Sequence, residues 1–142
     1  MSYNRVIALL LATSFLAVRA FAGGLLNANS ASDDELSSLG DSAAALIIAN
    51  RPYATIGDLN AALGASMSED DLELLYAKIF VPIDLNTASR ENILLIPGVG
   101  RRMAHEFEEY RPYTSMEQFR REMGKYVDDE EVARLEMYVT ID

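Results

Sequence analysis

Apolar positions recur at helical spacing in short blocks along two stretches of this chain, each block closed by a glycine, a proline or a polar cluster. In the C-terminal stretch, Ser89 is placed to cap a helix ending near Ile96, because Pro97 lacks the N–H that would continue it. A second helix is expected from Arg101 to about Tyr110, where Arg111-Pro112 ends it. Ser115 and Gln118 have the spacing of a capping box and open a third, which stops before Gly124. A fourth is expected from about Asp128 to Val139. Its first turn carries Asp128, Asp129, Glu130 and Glu131, where the helix dipole favours carboxylates, and Val132, Leu135 and Val139 share one face. The N-terminal stretch parallels this, with Ser32 and Glu35 as a capping box and Ser68 before Glu69-Asp70-Asp71. Val81-Pro82-Ile83 reads as a short extended link.

The two stretches are copies of one unit. Asn29-Ser30-Ala31-Ser32 matches Asn86-Thr87-Ala88-Ser89 at an offset of 57, and Arg51-Pro52-Tyr53 matches Arg111-Pro112-Tyr113 at an offset of 60. Leu63-Gly64 matches Met123-Gly124, and Leu72, Leu75 and Ile79 match Val132, Leu135 and Val139. Register kept over that length indicates one supersecondary unit used twice. The expected fold is therefore all-α, with a first unit over residues 23–81 and a second over residues 82–142.

The three-residue difference falls at one turn. The second unit has Ile96-Pro97-Gly98-Val99-Gly100 followed by Arg101-Arg102, where the first has only Leu39-Gly40 followed by Asp41-Ser42. Gly98 and Gly100 allow a sharp reversal, and Val99 between them can point inward. The helix that follows begins with unpaired N–H groups and a positive dipole end, an arrangement that favours an anion such as phosphate. Arg120, Arg121 and Lys125 lie around Gly124 and, with Arg101 and Arg102, form the one candidate basic patch. The first unit lacks both the loop and the charge, so little anion affinity is expected there.

This turn resembles the hairpin of the helix-hairpin-helix family, which holds nucleic-acid backbone without reading sequence. Asp84-Leu85-Asn86-Thr87-Ala88-Ser89 upstream, and Tyr110-Arg111-Pro112-Tyr113 with Ser115-Met116-Glu117-Gln118-Phe119 downstream, are similar to one branch of it. That branch includes the DNA-uptake receptor of competent bacteria and, more distantly, the extrinsic U subunit of photosystem II. The likeness runs from about Ile83 to Ile141. It implies two tandem helix-hairpin-helix-type units, the first with a degenerate hairpin. It also implies weak DNA binding through Gly98, Val99, Gly100, Arg101, Arg102, Arg120, Arg121 and Lys125. The photosystem subunit uses the same module for packing alone, so a second reading stands beside the first. In that reading the chain is a protein-interaction or assembly module, with residues 23–81 as a docking surface for another extracytoplasmic protein.

Charge bears on that choice. The chain has 142 residues, 22 acids against 12 bases, and a formal net charge of −10. Residues 23–83 carry nine acids against two bases, and residues 84–142 carry thirteen against eight. Nucleic-acid-binding domains are ordinarily basic, so the acidity favours the interaction module. Half of the residues are apolar, which predicts a packed core rather than disorder. No cysteine and one histidine, His105, leave no disulfide, thiolate site or histidine-based zinc site to expect. His105 is expected on a helix surface. The Asp128–Glu131 run lacks the alternation and central glycine of a calcium loop. With no nucleophile–base pair, phosphate-binding loop motif or metal motif, a non-catalytic protein without cofactor or metal is expected. Arg-Pro-Tyr, present twice, is open to two readings: an aromatic ledge for a base or partner, or a tyrosine packed at a helix corner.

The N-terminus predicts export. Arg5 precedes an apolar run from Val6 to Val18, and Ala20-Phe21-Ala22 supplies a small-x-small cleavage site, the form of a secretory signal peptide over residues 1–22. The mature chain would then work in the periplasm or outside the cell, without a membrane span. The alternative is an anchor through residues 6–18, which Arg19 in the cleavage region keeps open. Intact-mass analysis of exported protein should show a chain that starts at Gly23; a product that keeps residues 1–22 in the membrane fraction would establish the anchor.

Overall fold

The computed structural model describes residues 24–142, so the expected signal sequence lies outside the described residues. The first unit comprises β1 (Leu26–Asn27), α1 (Asp33–Ser37), α2 (Asp41–Ala49), α3 (Ile56–Gly64), α4 (Glu69–Tyr76) and β2 (Ile79–Phe80). The second repeats the order with β3 (Ile83–Asp84), α5 (Arg90–Ile93), α6 (Arg101–Glu109), α7 (Met116–Met123), α8 (Asp129–Glu136) and β4 (Val139–Thr140). The fold is all-α, with strands of two residues only. Among the described residues no helix is long and apolar enough to cross a membrane.

Those strands close each unit. β1 pairs with β2 in parallel, Leu26 opposite Ile79, and β3 pairs with β4, Ile83 opposite Val139. Ile79 and Val139 were expected at the ends of helices. The helices stop instead at Tyr76 and Glu136, and these β-branched residues run extended and buried. Leu26 N–H donates to Lys78 O and Ile83 N–H to Tyr138 O, at 2.8 and 2.9 Å. A two-residue strand is too short to show alternation, and its partner lies some fifty residues away.

A second tie joins the start of each unit to its middle corner. The Asn86 side chain donates to Tyr113 O at 2.9 Å and accepts from Tyr113 N–H at 2.7 Å. The Arg111 guanidinium donates to Leu85 O and to Ala88 O, the latter at 2.7 Å. Tyr113 is buried, and its hydroxyl donates to Phe107 O at 2.8 Å. The first unit repeats every member: Asn29 with Tyr53, Arg51 with Ala28 O and Ala31 O, and Tyr53 Oη with Ile47 O. Arg-Pro-Tyr is therefore a packing corner, and neither tyrosine is a ledge. Burial raises the pKa of both hydroxyls, so they stay protonated donors.

Helix starts follow the residues. Ser32 and Glu35 form the expected capping box, and Ser68, Ser89 and Asp128 cap their helices. Thr55 and Asp58 form a further box. Only half of the Ser115–Gln118 box is present: Gln118 N–H donates to Ser115 Oγ at 3.2 Å, but the Gln118 side chain accepts from Thr114 N–H instead of Ser115.

The units pack on one another through a core that runs continuously through both. α3 lies against α5, and at Gly57 an added Cβ would come within 2.5 Å of Asn92 Oδ1. Tyr138 Oη donates to Tyr76 O at 2.7 Å, and its ring meets Phe80 edge-on at 6.3 Å. The acidic helix α4 is thereby held beside the second unit.

Truncation of the Asn86 side chain leaves both backbone groups of Tyr113 without their partners in a half-buried corner. Asn86→Ala should destabilise the protein by about 2–3 kcal/mol. Replacement of the exposed Thr87 should change stability by less than about 0.5 kcal/mol. Urea melts of both variants check the ranking.

Candidate nucleic-acid interface

The hairpin between α5 and α6 is built differently from its sequence expectation. α5 ends at Ile93, three residues before Ile96, and Leu94-Leu95 form turns that half-bury both side chains. Val99 N–H donates to Ile96 O at 3.1 Å and the Val99 side chain is buried, so this residue pins the turn as its position between two glycines suggested. Gly98 has φ 79°, a left-handed angle that disfavours any Cβ. Gly100 has φ −93° and ψ 179°, and an added Cβ there would meet nothing within 4 Å. The expectation that both glycines are conformationally required is thus corrected: Gly98 makes the reversal and Gly100 is ordinary extended backbone.

The hairpin is latched by a residue that the sequence did not single out. The Arg134 guanidinium on α8 donates to Pro97 O at 2.7 Å and pairs with Glu131 at 2.6 Å. The hydrogen bond from Arg134 holds the Glu131 carboxyl below its ordinary pKa, despite partial desolvation. The first unit has Leu74 at the position of Arg134 and no three-residue loop to latch, and Leu74 is 69% exposed. There the reversal falls on one residue, Gly40, at φ 106°.

Arg101 and Arg102 open α6 and are exposed. Gly100 offers no side-chain cap, and the first N–H bonded along the helix is that of Ala104, to Gly100 O at 3.0 Å. The N–H groups of the first turn therefore remain available. On the same helix, Glu106, Glu108 and Glu109 lie within a turn or two of the two arginines. Glu108 instead binds Arg90 through two bonds of 3.0 Å, and Glu109 lies 3.7 Å from the exposed His105. Among the described residues no ion pair joins Arg101 or Arg102 to a carboxylate.

The remaining bases are partly neutralised and partly turned elsewhere. Arg120 is bound by Glu136 on α8, with Glu117 at 3.8 Å. Arg121, at 3.2 Å, and Lys125 share the one carboxylate of Glu122, whose pKa the Lys125 hydrogen bond lowers most. Lys125 Nζ also lies 4.9 Å from the centre of the Tyr110 ring. The fold brings Lys125 and Arg102 together: with Gly100, Met103, Glu106 and Tyr126 they line a cleft of about 410 Å³. Arg120 does not line that cleft; it is tied to α8.

A second cleft, of about 500 Å³, lies on the side of the first unit. Leu94 to Gly100 form one wall and α4 the other, so Glu69 and Glu73 share a cleft with Gly98 and Gly100. Neither carboxylate has an ion-pair partner among the described residues. The hairpin thus has a cationic flank and an acidic one.

The backbone angles give a ranking that denaturant melts can read. Gly98→Ala, which also brings a Cβ within 3.2 Å of the Arg134 guanidinium, should cost about 1–2 kcal/mol, and Gly40→Ala a similar amount. Gly100→Ala should stay within about 0.5 kcal/mol of the parent protein.

Comparison with known proteins gives a local match. No curated protein and no solved structure matches the chain. A family model described as the helix-hairpin-helix motif matches residues 78–136, from the end of the first unit through α8. The matched residues contain the Pro97–Gly100 turn, the Arg101-Arg102 helix start and the Arg134 latch, so this segment carries a helix-hairpin-helix motif.

Proposed function

We propose that the second unit is a weak, sequence-independent nucleic-acid-binding module of an exported, non-catalytic protein of the competence-receptor type. The first unit is its scaffold. The observation that carries this reading is the start of α6. Two arginines without carboxylate partners and a turn of free N–H groups follow a hairpin latched from behind, all within the segment that matches a motif generally associated with nucleic-acid binding. Phosphate contact at such a site positions a strand without reading its bases. The affinity is low because thirteen acids surround eight bases in this half of the chain.

A second reading has its own support. Glu69 and Glu73 face the hairpin, and Leu74 beside them is the most exposed large apolar side chain among those described. An acidic helix with an exposed leucine suits a basic protein partner, and the first unit would then be the docking surface of an extracytoplasmic assembly.

Fluorescence-anisotropy titration of the mature chain with labelled DNA across salt concentrations tests the leading reading. Binding should weaken with salt at a slope of about two to four released counterions, and Arg101→Glu with Arg102→Glu should abolish it while the circular dichroism spectrum is unchanged. Absence of binding at low salt, where electrostatic attraction is strongest, would overturn it in favour of the interaction module.

A further inference from the structure

The cleft on the cationic flank is more than a charged surface. Arg102 supplies an unpaired cation, Lys125 one that also binds Glu122, Met103 an apolar contact, Glu106 a carboxylate acceptor and Tyr126 an aromatic ring. Tyr126 is 39% exposed, and its hydroxyl bonds that of Tyr110 at 2.7 Å, which fixes one edge of the ring. The free N–H groups of the α6 first turn adjoin the same cleft through Gly100 and Arg102. Each of these groups answers a different part of a nucleotide. Cations and N–H groups suit the phosphate, the phenol ring a base face, and the carboxylate an amino group on a base edge while it repels phosphate. A base paired inside a duplex exposes neither its face nor its pairing edge, so a duplex would use only the cations and N–H groups.

The other flank argues the same way. A duplex laid on the hairpin carries a second row of phosphates at one charge per about 1.7 Å of axis. The unpaired Glu69 and Glu73 line the cleft against Gly98 and Gly100, which shares only Gly100 with the cleft that holds Tyr126. Their repulsion acts within a Debye length of about 8–10 Å, and it falls on whichever strand lies toward the first unit. A lone strand entering from the Arg102–Lys125 side meets the cations and avoids most of that repulsion.

We infer that the Gly100–Arg102–Lys125–Tyr126 cleft takes single-stranded nucleic acid, with a base stacked on Tyr126 and its phosphate at the start of α6. The inference rests on the nucleic-acid reading of the second unit and names its substrate class.

The test is anisotropy of the mature chain with a labelled 12-nucleotide DNA strand, the same strand with abasic sites throughout, its ribonucleotide counterpart and the matching duplex, at about 20 mM salt, where charge effects are long-ranged. The DNA strand should bind about tenfold tighter than the duplex and than the abasic strand, in line with one stacked base. Tyr126→Ala should remove that advantage and leave duplex binding unchanged, whereas Tyr126→Phe, which keeps the ring, should retain it. The ribonucleotide strand should bind within about threefold of the DNA strand, because stacking and phosphate contact do not read the 2′-hydroxyl; a larger gap in either direction would overturn the stated mode of recognition. Equal or tighter binding of the duplex, or an equal loss for strand and duplex in Tyr126→Ala, overturns the inference and leaves the nucleic-acid module standing. Failure of every probe to bind overturns both.

Discussion

The tie between the asparagine that opens each unit and the tyrosine corner at its middle is the constraint on which the rest of the structure depends. Asn86 and Arg111 replace solvent at four backbone groups with side-chain bonds and draw the β3 end of the unit onto the α6–α7 corner. Short helices of four to nine residues cannot hold a shape by their own propensity. They are arranged instead by such side-chain-to-backbone bonds, by the strand pairs that close each unit and by the core beneath them. Both copies keep the clamp in full although they differ at the hairpin, which separates what the unit needs to fold from what only one copy uses.

The divergence between the copies is concerted. The first unit lacks Pro97-Gly98-Val99, and it also lacks the arginine that would latch such a loop, carrying Leu74 instead. It replaces the Arg120–Glu136 ion pair with an Asn60–Tyr76 hydrogen bond, and Arg121, Glu122 and Lys125 with alanines at 61, 62 and 65. The backbone of Tyr76 then accepts the Tyr138 hydroxyl of the second unit. The first copy has exchanged a charged face for an uncharged one, and its α4 presents acids beside the neighbour's hairpin.

Under the proposed function, that arrangement reconciles a net charge of −10 with anion binding at the turn. Most exposed bases of the second unit are engaged by carboxylates, and exposed pairs of this kind stabilise little. Their effect is to neutralise charge locally and leave Arg101 and Arg102 as the exposed cations of this unit without a carboxylate partner. Under that reading, attraction falls on the Arg102 flank of the hairpin, while the unpaired Glu69 and Glu73 lie in the cleft on the side of the first unit.

The sequence by itself determined the helical class, the twofold repeat, the caps at Ser32, Ser68 and Ser89, and the position of the one complete hairpin. These rest on local rules: capping chemistry, glycine and proline punctuation, and apolar spacing read within a few residues. It also held both halves of the corner clamp, Asn-x-Ala-Ser and Arg-Pro-Tyr, without showing that they touch, because 27 residues separate Asn86 from Tyr113. Only the tertiary structure decided the strand pairs, the reach of Arg134 to Pro97, and which glycine takes the left-handed angle. It also decided which of the candidate bases meet: Arg102 and Lys125 converge on one cleft, whereas Arg120 turns to Glu136. The physical reason is common to all of these. Each depends on the packing of one unit's end against its middle, or of one unit against the other, and such distances are not encoded in the spacing of residues along a single helix.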